Sequence, residues 1–156
     1  MFVKTNNGLL QPFITTTGVK QGCVLSPILF NIFIDKISNV FDETCAPVKI
    51  NNLSLNCILW ADDLLIISQT SEGLQNSLNK MKNYYDSLGL EVNIKKTKIM
   101  IFNKKGMSLN RGKYIFFLDG EPLEVTDQYQ YLGLKIRPSG AMGMTVEELN
   151  IKATKA

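Results

Sequence analysis

Apolar residues return along this chain in two rhythms. After Pro27 they recur every three or four positions, at Phe30, Phe33, Ile34, Ile37, Val40 and Phe41, with Asn31, Asp35, Ser38 and Asp42 on the polar side. That spacing predicts a helix running to about Glu43, opened by Ser26 as N-cap and Pro27 at the first helical position. A second helix is predicted from about Ser71 to Leu88, its stripe being Leu74, Leu78, Met81, Tyr85 and Leu88. Glu72 suits the positive end of its dipole and Gly89 stops it. Shorter apolar runs predict strands at Val48–Ile50, Leu53–Trp60 and Leu64–Ser68, the first two joined at Asn51-Asn52. Beyond the second helix the pattern predicts a strand near Lys98–Asn103, a hairpin from Tyr114 to Val125 around Asp119-Gly120, and a short strand Tyr131–Ile136. Thr145 with Glu148 forms a capping box for a last helix. The fold class is therefore α+β, a small antiparallel sheet with two helices packed on one face.

Composition narrows the chemistry. The chain has 156 residues, 45% of them hydrophobic, enough for one domain with a core. It contains no histidine, which excludes Ser-His-Asp and Cys-His catalysis and histidine zinc sites. Cys23, Cys45 and Cys57 have neither even number nor CxxC spacing, so they read as thiols in a reducing compartment. The first ten residues carry no continuous apolar stretch, and no run reaches the length of a membrane span, so an intracellular location is expected, in cytoplasm or nucleus.

Net charge is only +3, but it is unevenly placed. Lys95, Lys96, Lys98, Lys104, Lys105, Arg111 and Lys113 follow one another without an acid. Asp119, Glu121, Glu124 and Asp127 then follow without a base. Such a basic block suits a polyanion, and equally suits a solvated strand edge.

Trp60-Ala61-Asp62-Asp63 concentrates the candidate chemistry. Two adjacent carboxylates stand between the apolar runs Ile58–Trp60 and Leu64–Ile67. Neighbouring carboxylates stay charged there only at the wet tip of a hairpin or around a compensating cation. Mg²⁺, a hard ion that takes oxygen ligands, is the natural candidate.

Taken in order, Gly18-Val19-Lys20-Gln21-Gly22, Leu25-Ser26-Pro27, Ala61-Asp62-Asp63, Gly89-Leu90, Asn93, Lys96-Thr97-Lys98 and Tyr131-Leu132-Gly133 resemble the palm of a reverse transcriptase, of the non-LTR retrotransposon type. The resemblance implies a partial palm over residues 1–137 and the truncated start of a thumb helix over 138–156. It implies an RNA-directed DNA polymerase using an RNA template, a DNA primer and deoxynucleotide triphosphates, with Mg²⁺ as cofactor or Mn²⁺ in its place. Asp62 and Asp63 would be the metal ligands. Gly18, Gln21 and Gly22 would lie against the incoming nucleotide and template base, and Lys96 would neutralise or protonate the departing pyrophosphate. Tyr131, Leu132 and Gly133 would hold the primer end.

Two departures qualify these expectations. Trp60 stands where the family has Phe or Tyr, a larger ring beneath the metals. The family's further metal-binding Asp lies upstream, and the 17 residues before Gly18 contain no Asp or Glu. The expectation is a polymerase fragment inactive by itself; the alternative is a non-catalytic retroelement remnant that binds nucleic acid or a partner. An RNA-templated RNA polymerase is disfavoured by Ala61, where those enzymes usually have Gly.

Overall fold

The computed structural model describes residues 4–5, 8–9, 11, 18–19, 22–102, 114–132 and 134–139. In chain order the elements are β1 (Lys4–Thr5), β2 (Gly8–Leu9), α1 (Ser26–Ile34), two 3-10 turns (Asp35–Val40 and Glu43–Cys45), β3 (Val48–Ile50), β4 (Leu53–Leu55), β5 (Cys57–Trp60) and β6 (Asp63–Ile66). Then follow α2 (Ser71–Ser87), β7 (Lys98–Ile99), β8 (Phe117–Leu118), β9 (Glu121–Pro122), β10 (Glu124–Val125), β11 (Tyr129–Tyr131) and β12 (Leu134–Ile136). Lys20, Gln21, Lys104, Lys105, Arg111, Lys113, Gly133 and the predicted helix at Thr145–Glu148 lie outside the described residues. Among those residues, no helix is long and apolar enough to cross a membrane.

α2 forms where it was predicted because both of its ends are closed by local chemistry. The Thr70 hydroxyl accepts the Gly73 N–H at 3.0 Å. At the other end, Gly89 takes a φ of +67°. Its N–H donates to Asp86 O, and that of Leu90 donates to Tyr85 O, which satisfies the last carbonyls. The inner stripe buries Leu78 and Met81 with Ile37, Phe41, Cys45, Ile99, Phe116, Leu118 and Leu123. Gly73 allows the close approach: a Cβ there would lie 2.6 Å from Ala46 Cβ and from Ser68 Oγ. Gln75 ties the helix to β8 as a strand would, its Nε2 donating to Phe117 O at 2.8 Å and its Oε1 accepting Phe117 N–H at 2.9 Å.

The first helix departs from its prediction. It ends at Ile34 and continues as a 3-10 turn to Val40, not as an α-helix to Glu43. Leu25, not Ser26, is the N-cap, and no side chain caps the start. The Ser38 hydroxyl donates to Asp35 O at 3.3 Å, the local competition that makes serine a poor helix-interior residue. Asp42, expected on the helix's polar side, instead caps the turn Glu43–Cys45 by accepting the Thr44 N–H at 3.0 Å. Of the predicted stripe, Ile34, Ile37 and Phe41 are buried, while Phe33 is exposed.

The single antiparallel sheet is also corrected. The described residues form separate two-stranded ladders, antiparallel except for the parallel pair β7–β10. The predicted strand Leu53–Trp60 breaks at Asn56, whose carbonyl accepts Ile67 N–H at 2.7 Å while its Nδ2 reaches Phe41 O at 3.5 Å. Of the strand predicted near Lys98–Asn103, Lys98–Ile99 forms and Met100–Phe102 do not continue it, while Asn103 lies outside the described residues. Tyr131–Ile136, expected as one strand, is divided between two: Tyr131 ends β11 and pairs with Leu134 at the start of β12, and Leu132 between them takes a φ of +48°. The turn at Asp119-Gly120 forms, both residues having positive φ, but its ladder is only Phe117–Leu118 with Glu121–Pro122, and Glu124–Val125, expected in the hairpin, pairs with β7 instead.

Candidate active site

The Asp62-Asp63 pair occupies a two-residue hairpin. β5 and β6 are antiparallel, with Cys57 opposite Ile66, Ile58 opposite Leu65, Leu59 opposite Leu64 and Trp60 opposite Asp63. Ala61 and Asp62 therefore make the turn, and Asp63 is the first residue of the return strand. Directly opposed residues share a face of the ladder. Cys57, Leu59, Leu64 and Ile66 turn toward the core and pack against it. The other face carries Ile58, Trp60, Asp63 and Leu65, and Trp60 is 65% exposed on it. Both carboxylates are exposed. The alternation of the flanking apolar runs thus seats one face of the hairpin and leaves its acidic tip in water.

The turn is not made from ordinary turn residues. Ala61 holds a φ of +51°, where a side chain costs about 1–2 kcal/mol relative to the right-handed region. Asn or Gly takes such positions readily. Strain of this kind persists where surrounding structure holds it, and clusters at working sites.

Tyr131, on β11, is within electrostatic reach of Asp63. Its hydroxyl oxygen is sealed from solvent and has no hydrogen-bond partner, an arrangement that costs about 1–3 kcal/mol. Burial pushes the phenol's pKa above its ordinary value, and the negative charge of Asp63 adds to the rise. Tyr129 lies two residues earlier, so on the same face of β11. Its hydroxyl is 3.5 Å from the Lys96 carbonyl, at the outer limit of a hydrogen bond. Sequence reasoning missed Tyr129; its signal was the i, i+2 repeat with Tyr131.

The Lys-Thr segment is shaped by Asn93. Its side-chain oxygen accepts the Lys96 N–H at 3.1 Å, and its carbonyl accepts the Thr97 hydroxyl at 2.9 Å. Such side-chain closure is what asparagine contributes to a turn. Lys98 is held by Glu124 at 2.6 Å across the β7–β10 ladder. Lys95 and Lys96 are exposed, and neither is ion-paired among the described residues. Of the three clustered lysines, Lys98 is thus already neutralised.

The remaining predicted residues are not drawn together in the same way. Gly18 and Gly22 are exposed with φ of +92° and +78° in the segment leading to α1. Among the described residues, no hydrogen bond or ion pair ties them to the Asp62-Asp63 turn. Gln21 and Gly133 lie outside the described residues, and Leu132 is exposed at its own turn.

As a metal site the pair is right in kind and short in number. Two carboxylates suit a hard divalent ion. Among the described residues, however, no group of three or more His, Cys, Asp or Glu side chains is placed to hold one. Asp62 and Asp63 supply part of a coordination set.

Comparison with known proteins gives this arrangement its context. The family described as reverse transcriptase (RNA-dependent DNA polymerase) matches residues 1–136, and the chain belongs to that family. It is 30% identical over 137 residues to the retrovirus-related Pol polyprotein from the type-2 retrotransposable element R2DM of Drosophila melanogaster, covering 83% of this chain and 13% of that protein. It is 33% identical over 137 residues to a Pol polyprotein from a type-1 retrotransposable element R2 of Popillia japonica, covering 85% of this chain and 23% of that one. A third relative, from Nasonia vitripennis, is 28% identical over 151 residues, 92% of this chain and 14% of its own length. The chain thus spans less than a quarter of the length of each of these relatives.

Proposed function

We propose that this chain forms the palm segment of an RNA-templated DNA polymerase of a non-LTR retroelement, with residues 138–156 beginning the thumb. In this reading Asp62 and Asp63 hold divalent metal, Mg²⁺ or Mn²⁺, and a primer 3′-hydroxyl attacks a nucleotide α-phosphate. An ion held by these carboxylates would supply Lewis-acid stabilisation of charge on the reacting oxygens. Lys96, exposed and outside any ion pair among the described residues, meets the charge that develops on the pyrophosphate. Gly18, Gln21 and Gly22 line the nucleotide and template base, and Tyr131, Leu132 and Gly133 the primer. The substrates are RNA template, DNA primer and deoxynucleotide triphosphates.

The observation that carries this reading is the Asp62-Asp63 pair, exposed at a strained two-residue turn whose inner face is fixed to the core. The test is primer extension on an RNA template by a Pol polypeptide containing this chain. Asp62→Ala is expected to abolish extension while leaving the polypeptide folded. Extension at the unmodified rate would remove Asp62 from the site. A second reading, a remnant that binds nucleic acid without catalysis, draws on the missing third metal ligand among the described residues. It predicts nucleic-acid binding that is indifferent to Asp62→Ala and no extension in any context.

A further inference from the structure

The outer side of α1 is built like an inner one. Leu25, Ile28, Leu29 and Ile32 recur at i, i+3, i+4 and i+7, the spacing of a helix face that packs against another element. All four are between 54% and 68% exposed, and Phe33 beside them is 50% exposed. Ile34, fully buried, lies on the opposite side of the helix, so α1 carries two apolar faces and the described chain covers one. From Cys23 to Ile34 there is no charged residue to keep the second face in water. A contiguous apolar surface of this kind marks a place where something docks.

What covers this face follows from size and charge. A bilayer fits neither: nine residues fall short of the roughly 20 of a membrane span, and a helix lying on a lipid surface uses lysines and arginines that this one lacks. A second copy of the chain would have to hold on this face alone. Stable association between separate molecules buries about 800 Å² on each partner, more than these five partly exposed side chains supply. A segment of the same polypeptide needs no such area, because the covalent link provides a high effective concentration. The relatives are long enough to contain one, since the chain spans 13% of the Drosophila melanogaster protein and 23% of that from Popillia japonica.

We propose that the Leu25–Phe33 face of α1 is an intramolecular docking surface, covered in the whole Pol polypeptide by an uncharged, apolar helix or sheet face from outside these 156 residues. The inference rests on the reading of the chain as one segment of such a polypeptide, and not on the roles given to Asp62 and Asp63. In the 156-residue chain by itself the face stays open, and a side chain such as Ile32 is truncated there at little cost.

Hydroxyl-radical footprinting of a Pol polypeptide containing this chain tests the proposal without any substitution. Oxidation of a side chain follows its exposure, and the core residue Phe41 serves as the buried reference for Phe33 in the same molecule. With the face open, 50% exposure of Phe33 against 6% for Phe41 makes Phe33 react about eightfold faster. The expected result is that this difference vanishes, Phe33 reacting as slowly as Phe41, and that dilution does not restore it. A Phe33 rate near the open value overturns the proposal. So does protection that disappears on dilution as the sedimenting mass halves, which assigns the face to a second copy. The readout needs no catalysis, so its failure is distinct from primer extension surviving in Asp62→Ala, which strikes the polymerase reading alone.

Discussion

α1 and α2 both carry apolar repeats, yet only α2 is fully committed to the core. α2 alternates a buried stripe with lysines, asparagines and an aspartate, and both of its ends are closed by its own residues. α1 reads Ser26-Pro27-Ile28-Leu29-Phe30-Asn31-Ile32-Phe33-Ile34, apolar almost all round, and it has no side-chain cap. Its buried residues are Ser26 and Ile34, while Ile28, Leu29, Ile32 and Phe33 stand exposed. The difference teaches that helical spacing tells which residues form a helix, and polar contrast tells which face it buries. With almost no polar face, α1 left the choice of inner stripe open, and the predicted stripe was right only in its second half.

The sharpest test of that contrast pairs one substitution from each helix. Leu78 is 3% exposed in α2 and Ile32 is 68% exposed in α1. Leu78→Ala is expected to destabilise by about 2–5 kcal/mol, the range for a truncated core side chain. Ile32→Ala is expected to stay within about 0.5 kcal/mol. Urea unfolding of both variants measures this. Comparable losses would mean that the outer face of α1 is covered in solution, and the two helices would no longer differ.

Gly73 offers a smaller effect of instructive sign. In a helix, Gly→Ala ordinarily stabilises by about 1 kcal/mol through propensity. Here the added methyl meets Ala46 Cβ, Ser68 Oγ and the Cys45 carbonyl, the last at 2.7 Å. Two of these neighbours are backbone or a Cβ and cannot turn aside. Gly73→Ala is therefore expected to destabilise by about 1–3 kcal/mol, the range for overpacking, and to lower the thermal midpoint. A raised midpoint would show that α2 is not held so closely against the Glu43–Cys45 turn.

How much was legible follows the same division between local and distant causes. α2, the Asp119-Gly120 turn and the reversal at Ala61-Asp62-Asp63 were readable, because caps, glycine and alternation act within a few residues. The break of β4–β5 at Asn56 was not, since it depends on Ile67 and Phe41, both far from Asn56 in sequence. Nor was the parallel pairing of Lys98–Ile99 with Glu124–Val125, which no hairpin rule forecasts. At the site, the acidic turn was marked by its own residues. The effect of the Asp63 charge on Tyr131 links positions 68 apart and carried no local mark.

Asp42 joins the two halves of the helix comparison, and its effect should be the smallest. It follows the 3-10 continuation of α1, and its Oδ2 meets Lys80 Nζ of α2 at 2.5 Å. The Lys80 ammonium, aided by Thr44, draws the carboxyl down from 3.8 to about 2. Because the folded value lies below the unfolded one, the contribution to stability is fully present above about pH 3.8. It fades as pH falls through about 2. The pair is largely open to water, so added salt should screen what remains. Asp42→Asn keeps an oxygen that can accept the Thr44 N–H and removes the charge together with the Oδ2 acceptor that Lys80 meets. The stability gap between parent and variant should therefore be widest near neutral pH and close toward pH 2, in unfolding curves taken at low ionic strength. A gap that stays constant from pH 2 to 5 would show that the cap alone, without its attraction to α2, holds this corner of the fold.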